Sequence, residues 1–181
     1  MDMTQALAKE LESRYVVRFQ DCDPFGQLNN ARYIDYIFNA RQDQLARDYG
    51  FHIFEHGKDT NQNWVVTRSH IAYLYPALVN ESIVIRTKLI QMTESTIVVE
   101  AIMFDLELKR PKAVSWTEFT YVSLATGRTV KHPDDLMALF TQVVVEGIWS
   151  ADGFNQRVDA VRHAYRKRPV EQRTGELQPE R

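Results

Sequence analysis

The 181-residue chain carries 22 basic and 24 acidic side chains, for a formal net charge of −2, and 44% of its residues are hydrophobic. This is the balance of an ordinary globular protein, long enough for one domain plus an appendage, and it gives no whole-chain electrostatic case for a nucleic-acid partner. The single cysteine, Cys22, excludes an intrachain disulfide. No uninterrupted apolar run approaches the roughly 20 residues of a spanning helix, and the N-terminus lacks the basic start and apolar core of a secretion signal. A cytoplasmic protein with no membrane association is therefore expected.

In chain order, residues 3–12 read as a short helix or a frayed arm. Residues 15–19 read as a first strand, with Tyr15, Val17 and Phe19 on one face by the two-residue period. A Pro24–Gly26 turn follows and runs into a helix over residues 30–49. Tyr33, Ile34, Ile37, Phe38, Arg41, Leu45 and Tyr49 recur there near helical spacing, with Gly50 as the stop. So strong a stripe requires a wide partner surface. Four strand-like runs supply it, over residues 64–75, 82–92, 96–107 and 113–124. In the second of these, Ile83, Ile85, Thr87 and Leu89 alternate with Val84, Arg86, Lys88 and Ile90. The short breakers between runs favour antiparallel neighbours. A short helix is expected over residues 133–140. Residues 143–181 read as a C-terminal extension to a domain of residues 1–142, less regular over 146–164 and then polar and loosely ordered. The whole is α+β.

The turn carries the chemistry. Pro24 presets φ and Gly26 tolerates positive φ, while Asn29 or Asn30 can cap the helix. Free amides and the positive helix end then lie where a developing oxyanion needs them, beside the carboxylate of Asp23. The same carboxylate can equally serve the turn by accepting backbone amides.

Residues 19–41, FQDCDPFGQLNNARYIDYIFNAR, resemble the signature of the 4-hydroxybenzoyl-CoA thioesterase family of hotdog-fold proteins: Asp-x-Asp-x-x-Gly, an Asn-Asn stretch, then a Tyr-containing helix. Residues 65–77, ending in Tyr75-Pro76-Ala77, resemble the family's second strand. Residues 120–133 resemble its last strand and exit. The match runs in order over roughly residues 14–142. It implies a hotdog fold, an antiparallel sheet wrapped around one long helix, and hydrolysis of an acyl-coenzyme A thioester. Asp23 would be the nucleophile or the general base, with the Asn30 amide polarising the carbonyl. Gly26, Gln27, Asn29 and Tyr33 would line the site, with Tyr73, Tyr75 and, more weakly, Arg68 of the second strand contacting the acyl group. A homodimer or homotetramer with interfacial sites is implied, with no metal and no cofactor beyond the substrate's own coenzyme A. Gln27 departs from the pattern, because many relatives carry His there and an amide takes up no proton at neutral pH.

Other candidates are weaker. Asp21 two residues from Asp23 need not face it, and Cys22 has no histidine near it in sequence. Lys109, Arg110, Lys112, Arg128 and Lys131 are candidates for the phosphates of coenzyme A, or simply solvated. His52 and His56 lack the metalloprotease order. Residues 57–60, Gly-Lys-Asp-Thr, resemble only part of a phosphate loop. An acyl-carrier-protein thioesterase and a non-catalytic acyl-CoA-binding protein stand as alternatives.

Overall fold

The computed structural model describes residues 6–166. Strand β1 (Glu10–Val16) leads through a 3₁₀ turn (Phe19–Asp21) and the Asp23 loop to helix α1 (Arg32–Tyr49). A short helix α2 (Ile53–Thr60) precedes β2 (Gln62–Tyr73), β3 (Ser82–Met92), β4 (Thr96–Asp105) and β5 (Pro111–Ser123), and helices α3 (Asp134–Val143) and α4 (Phe154–Arg166) complete the order. The five strands form one antiparallel sheet in the order β1-β3-β4-β5-β2. Register shifts between Val66 and Arg68 and between Leu89 and Gln91 interrupt the ladders, a device that bends strands and increases twist. The result is a hotdog fold.

The strand period sorts the core into two sides. On the inner face, Ile83, Ile85, Ala101, Met103 and Ala113 pack against Tyr33, Ile37 and Ala40 of α1. Gln44 continues that buried stripe. Its amide is satisfied, since Nε2 donates to Ile85 O at 3.0 Å and the Thr87 hydroxyl donates to its Oε1. Leu136, Phe140 and Val143 of α3 close the same side against Leu89, Val99 and Tyr121. On the outer face, Val84, Ile102, Phe104 and Val114 meet Val158 and Val161 of α4. The sheet is therefore covered on both faces.

Several sequence expectations shift. The chain is extended from Glu10, where a helix or frayed arm is expected, and residues 1–5 lie outside those described. The first strand ends at Val16. Phe19 sits in the 3₁₀ turn, 84% exposed, so it does not share a strand face with Tyr15 and the fully buried Val17 as expected. Helix α1 begins two residues late, at Arg32, but stops as expected at Gly50, whose φ of 64° puts it in the left-handed region and whose amide bonds Leu45 O. Residues 57–60 form the last turn of α2, not a phosphate loop. The expected irregularity of residues 146–164 contains α4, while the expected loose tail from 167 lies outside the described residues.

Candidate active site

The Asp23 loop is a closed ring of backbone bonds. Asp23 N–H donates to Gln27 O at 2.8 Å, Gly26 N–H donates to Asp23 O at 3.0 Å, and Cys22 bridges Leu28. Gly26 holds φ 73°, the left-handed position this turn requires. Within the ring, Asp23 Oδ1 accepts both the Phe25 amide at 2.9 Å and the Gln27 amide at 3.1 Å. The turn-forming role and the chemical role therefore fall on different oxygens. Oδ1 builds the loop, and Oδ2 has no hydrogen-bond partner among the described residues.

The loop then enters the helix. Asn29 N–H donates to Asp21 O, Asn29 Oδ1 accepts the Ala31 amide at 3.0 Å, and Asn29 O accepts the Arg32 amide at 2.8 Å. Neither asparagine expected to cap the helix is its cap residue, which is Ala31 with no side-chain cap bond; Asn29 instead closes the turn just before it. The Asn30 amide has no acceptor among the described residues, while its carbonyl accepts the Tyr73 hydroxyl at 2.9 Å. A free donor thus stands at the positive end of an 18-residue helix, one loop away from the unclaimed carboxylate oxygen.

A second segment holds this loop from behind. Leu28 N–H donates to Ala77 O, Val79 N–H donates to Gly26 O, and Ala77 N–H donates to the Tyr33 hydroxyl at 3.1 Å. Lys112 secures that segment, donating to Pro76 O at 2.9 Å and pairing with Glu81 at 2.6 Å, while Glu81 Oε2 accepts the Leu78 amide. Lys112 is buried. It is therefore a positioning residue, not the phosphate-binding loop cation expected from sequence. No local motif announces this role, because Pro76 lies 36 residues away.

The remaining candidates separate. The Tyr33 and Tyr73 rings meet edge to face at 5.1 Å, joining helix start to strand end. Gln27 forms a bridge with Leu78, and Tyr75 is exposed beside the loop-holding segment. Arg68 and His70 lie on exposed β2; the His70 ring meets Phe154 of α4 at 5.3 Å. Asp21 does not pair with Asp23: it accepts the Tyr36 hydroxyl at 2.8 Å and lies 3.9 Å from Arg32. Cys22 donates to Arg18 O, and burial, with Asp21 and Asp23 adding to it, pushes its thiol above the ordinary value, away from nucleophile chemistry. Lys109 and Lys131 pair with Glu107 and Glu94, while Arg110 and Arg128 are exposed. His56 contacts the Tyr121 hydroxyl at 2.7 Å inside an aromatic cluster.

Fold and loop together define a hotdog protein with a carboxylate at a helix start. Residues 17–140 match the family model described as the thioesterase-like superfamily. The chain belongs to that superfamily, and the reaction class that membership carries is thioester hydrolysis. The match does not single out the 4-hydroxybenzoyl-CoA branch within it. A search of curated proteins returns no sequence match. Among solved structures, a 1,4-dihydroxy-2-naphthoyl-CoA thioesterase from Synechocystis is similar at 11% identity and TM-score 0.68, over 74% of this chain and 97% of that one. A DHNA-CoA thioesterase from Staphylococcus aureus is similar at 16% identity and TM-score 0.69, over 76% and 97%. The probable thioesterase YbaW from Escherichia coli is similar at 22% and 0.64, over 74% and 98%. At these identities the likeness is one of fold.

Proposed function

We propose that the protein hydrolyses an acyl-coenzyme A thioester to the free acid and coenzyme A, with Asp23 as nucleophile or general base. The observation that carries this reading is the division of labour at Asp23: one oxygen is fixed by two backbone amides and the other is unclaimed, while the Asn30 amide at the entry to α1 has no acceptor among the described residues. A thioester needs little more. Either a water deprotonated by Asp23 or Asp23 itself attacks the acyl carbon. The oxyanion that forms meets the Asn30 amide, and the C–S bond breaks to release a thiolate; on the nucleophile route water then hydrolyses the mixed anhydride, freeing the acid and restoring the Asp23 carboxylate. Thiols ionise at a pKa of about 8.5, so no strong general acid is required. The coenzyme A part of the substrate is supported by two of the similar structures, both described as CoA thioesterases.

Around this centre, Gly26, Gln27 and Asn29 shape the loop, and Tyr33, Tyr73 and Tyr75 form the wall that meets the acyl group. Arg68 lies further along the edge strand, which in a homodimer would face the second subunit. A tetramer built from such dimers uses the same site, and no cofactor is needed.

The test is thiol release from short, medium, long-chain and aromatic acyl-CoAs by wild type and Asp23→Asn. The substitution keeps an oxygen for the Phe25 and Gln27 amides, so the loop stays folded. Turnover should fall at least about 10²-fold, the scale of a general base. Asn30→Ala should lose less, because its donor is backbone. A folded Asp23→Asn protein with undiminished turnover would overturn the assignment. Absence of turnover by wild type on every acyl-CoA would point to a carrier-protein thioester or to binding alone.

A further inference from the structure

A second cavity lies away from the Asp23 loop, enclosed by the C-terminal half of α1, by α2, by α3 and by the inner face of the sheet. It measures about 130 Å³, and its walls are almost wholly apolar, among them Phe51, Trp64, Phe119, Leu139 and Phe140. One cation lines it: Arg41. No carboxylate among the described residues lies within ion-pair distance of this guanidinium. Its partners are two neutral hydroxyls. Nη1 donates to Thr87 Oγ1 at 3.2 Å, and the Thr87 proton is committed to Gln44. The other partner is the Tyr49 hydroxyl, whose own proton goes to Ala8 O. Desolvation depresses the guanidinium to about 10, where it still carries its charge at neutral pH, and the group that partly offsets this is the Tyr49 hydroxyl.

Arg41 is half-buried, not sealed from solvent, yet a cation walled by apolar groups and without a counter-ion still favours an anionic partner. The neighbouring sheet rows have donors to spare. The hydroxyls of Ser115 and Thr117 are buried and unpartnered. Both are in register with the cavity side of β4, Thr117 opposite Val99, a wall residue, and Ser115 opposite Ala101. An apolar chamber with one unmatched guanidinium selects for a ligand that is apolar along its body and negative at one end. A cavity of about 150 Å³ holds benzene, so the smaller space of about 130 Å³ suits a body of no more than about six carbons.

We propose that this cavity is a binding site for a small apolar carboxylate, its carboxylate on Arg41 and its hydrocarbon body against Trp64, Phe119 and Phe140. The carboxylate has two possible sources. It is either a free acid or the distal end of an ω-carboxyacyl group delivered by the thioester; the second case alone rests on the thioesterase reading.

Quenching of Trp64 fluorescence tests the site without any turnover. Hexanoate is titrated against 1-hexanol, which matches its body but lacks the charge, on wild type, Arg41→Met and Leu139→Phe. Wild type should prefer hexanoate at least about tenfold, the range of a charge-assisted hydrogen bond. Arg41→Met should bring the two ligands to parity while still binding hexanol, which shows its cavity intact. Leu139→Phe, narrowing the chamber from the half-buried face of α3, should weaken both. Equal binding of the two ligands by wild type, a preference that survives Arg41→Met, or no binding of either overturns the proposal. The source is then read from steady-state kinetics on hexanoyl-CoA and its ω-carboxy analogue. A lower KM for the analogue that Arg41→Met abolishes assigns the carboxylate to the acyl group. Equal KM values with hexanoate binding retained assign it to a free acid.

Discussion

His132 shows how much a single side chain can be held to one protonation state. It is 5% exposed. The Trp64 indole N–H, which can only donate, points at Nε2 from 3.0 Å, so Nε2 must be the acceptor and the ring neutral, with Nδ1 facing Thr93 O at 3.3 Å. Burial depresses its pKa, against a smaller upward pull from the Thr93 and Glu94 backbone, and burial likewise depresses that of nearby His56. Both bases are therefore neutral in the native state at a pH where the unfolded chain, with its histidines near 6.5, takes up protons. The stability they contribute is complete above about pH 6.5 and is lost as the pH falls below it. Urea midpoints measured from pH 7.5 down to 5.5 should fall, each group contributing at most about 1.4 kcal/mol per pH unit. His132→Asn should fall less steeply; identical slopes would remove His132 from the account.

At the scale of elements, α4 is joined to the sheet by charge as much as by apolar contact. Glu100, fully buried on the outer face, receives two bonds from Arg157 at 2.7 and 2.8 Å and one from the Trp116 indole at 3.0 Å, with Lys88 at 3.5 Å. Burial pushes this carboxyl up, but Arg157, Trp116 and Lys88 outweigh it and hold it below the ordinary range. Removing one partner leaves a buried charge. Arg157→Met should cost about 3–5 kcal/mol, and Arg157→Met with Glu100→Leu should recover most of it, since a buried pair is often replaceable by apolar groups. Urea unfolding of the three proteins decides this; equal losses in single and double variants would contradict it.

The same contact explains what sequence pattern reveals and what it hides. Strand β3 is legible to the residue, because Ile83, Ile85, Thr87 and Leu89 form one buried face that alternates with a mixed one, and α1 is legible through its stripe and Gly50. The Asp23 turn, Tyr33 and Tyr73 are equally legible, since the first two belong to one short local motif and the third ends a clear strand. Helix α4 is not. Its buried residues are only Val158 and Val161, too narrow a stripe to declare a helix, and its strongest tie is Arg157 to a glutamate 57 positions earlier. Helix α2 is short and carries Gly57, a poor helix former. A Cβ there would lie 2.6 Å from Asn63 Nδ2 and displace the amide that bonds Ile53 O, so packing across to β2 favours the glycine, which local propensity alone does not reveal. The Lys112–Glu81–Pro76 brace is hidden for the same reason as Arg157: its partners are distant in sequence.

The whole molecule has two sheet edges of opposite character. Edge β1 is short and charged, its Glu10 and Glu12 paired with Arg86 and Lys88, the usual defence against strand addition. Edge β2 is 12 residues long and exposes Val65 and Val66 at 43% and 46%. With α1 and α4 over the two faces, that edge is where a second copy would join. For the homodimer proposed above, Val66→Lys should sediment as a smaller species than wild type in analytical ultracentrifugation. The same strand ends at Tyr73, whose hydroxyl bonds Asn30 O, so the variant should also lose turnover. A Val66→Lys protein that sediments as wild type does would place the contact elsewhere.

Because α4 supplies the outer cover of the sheet, the order of synthesis matters. Val84, Ile102, Phe104 and Val114 are all made before their cover. At about 5–20 residues per second, the roughly 40 residues from the end of β5 to the end of α4 take several seconds to appear. Through that interval the emerging sheet presents an apolar face to its surroundings, at the stage when nascent chains are most prone to stick to one another. Translation speed over that stretch, remote in sequence from Asp23, is thus expected to bear on how much of the newly made chain reaches its folded form.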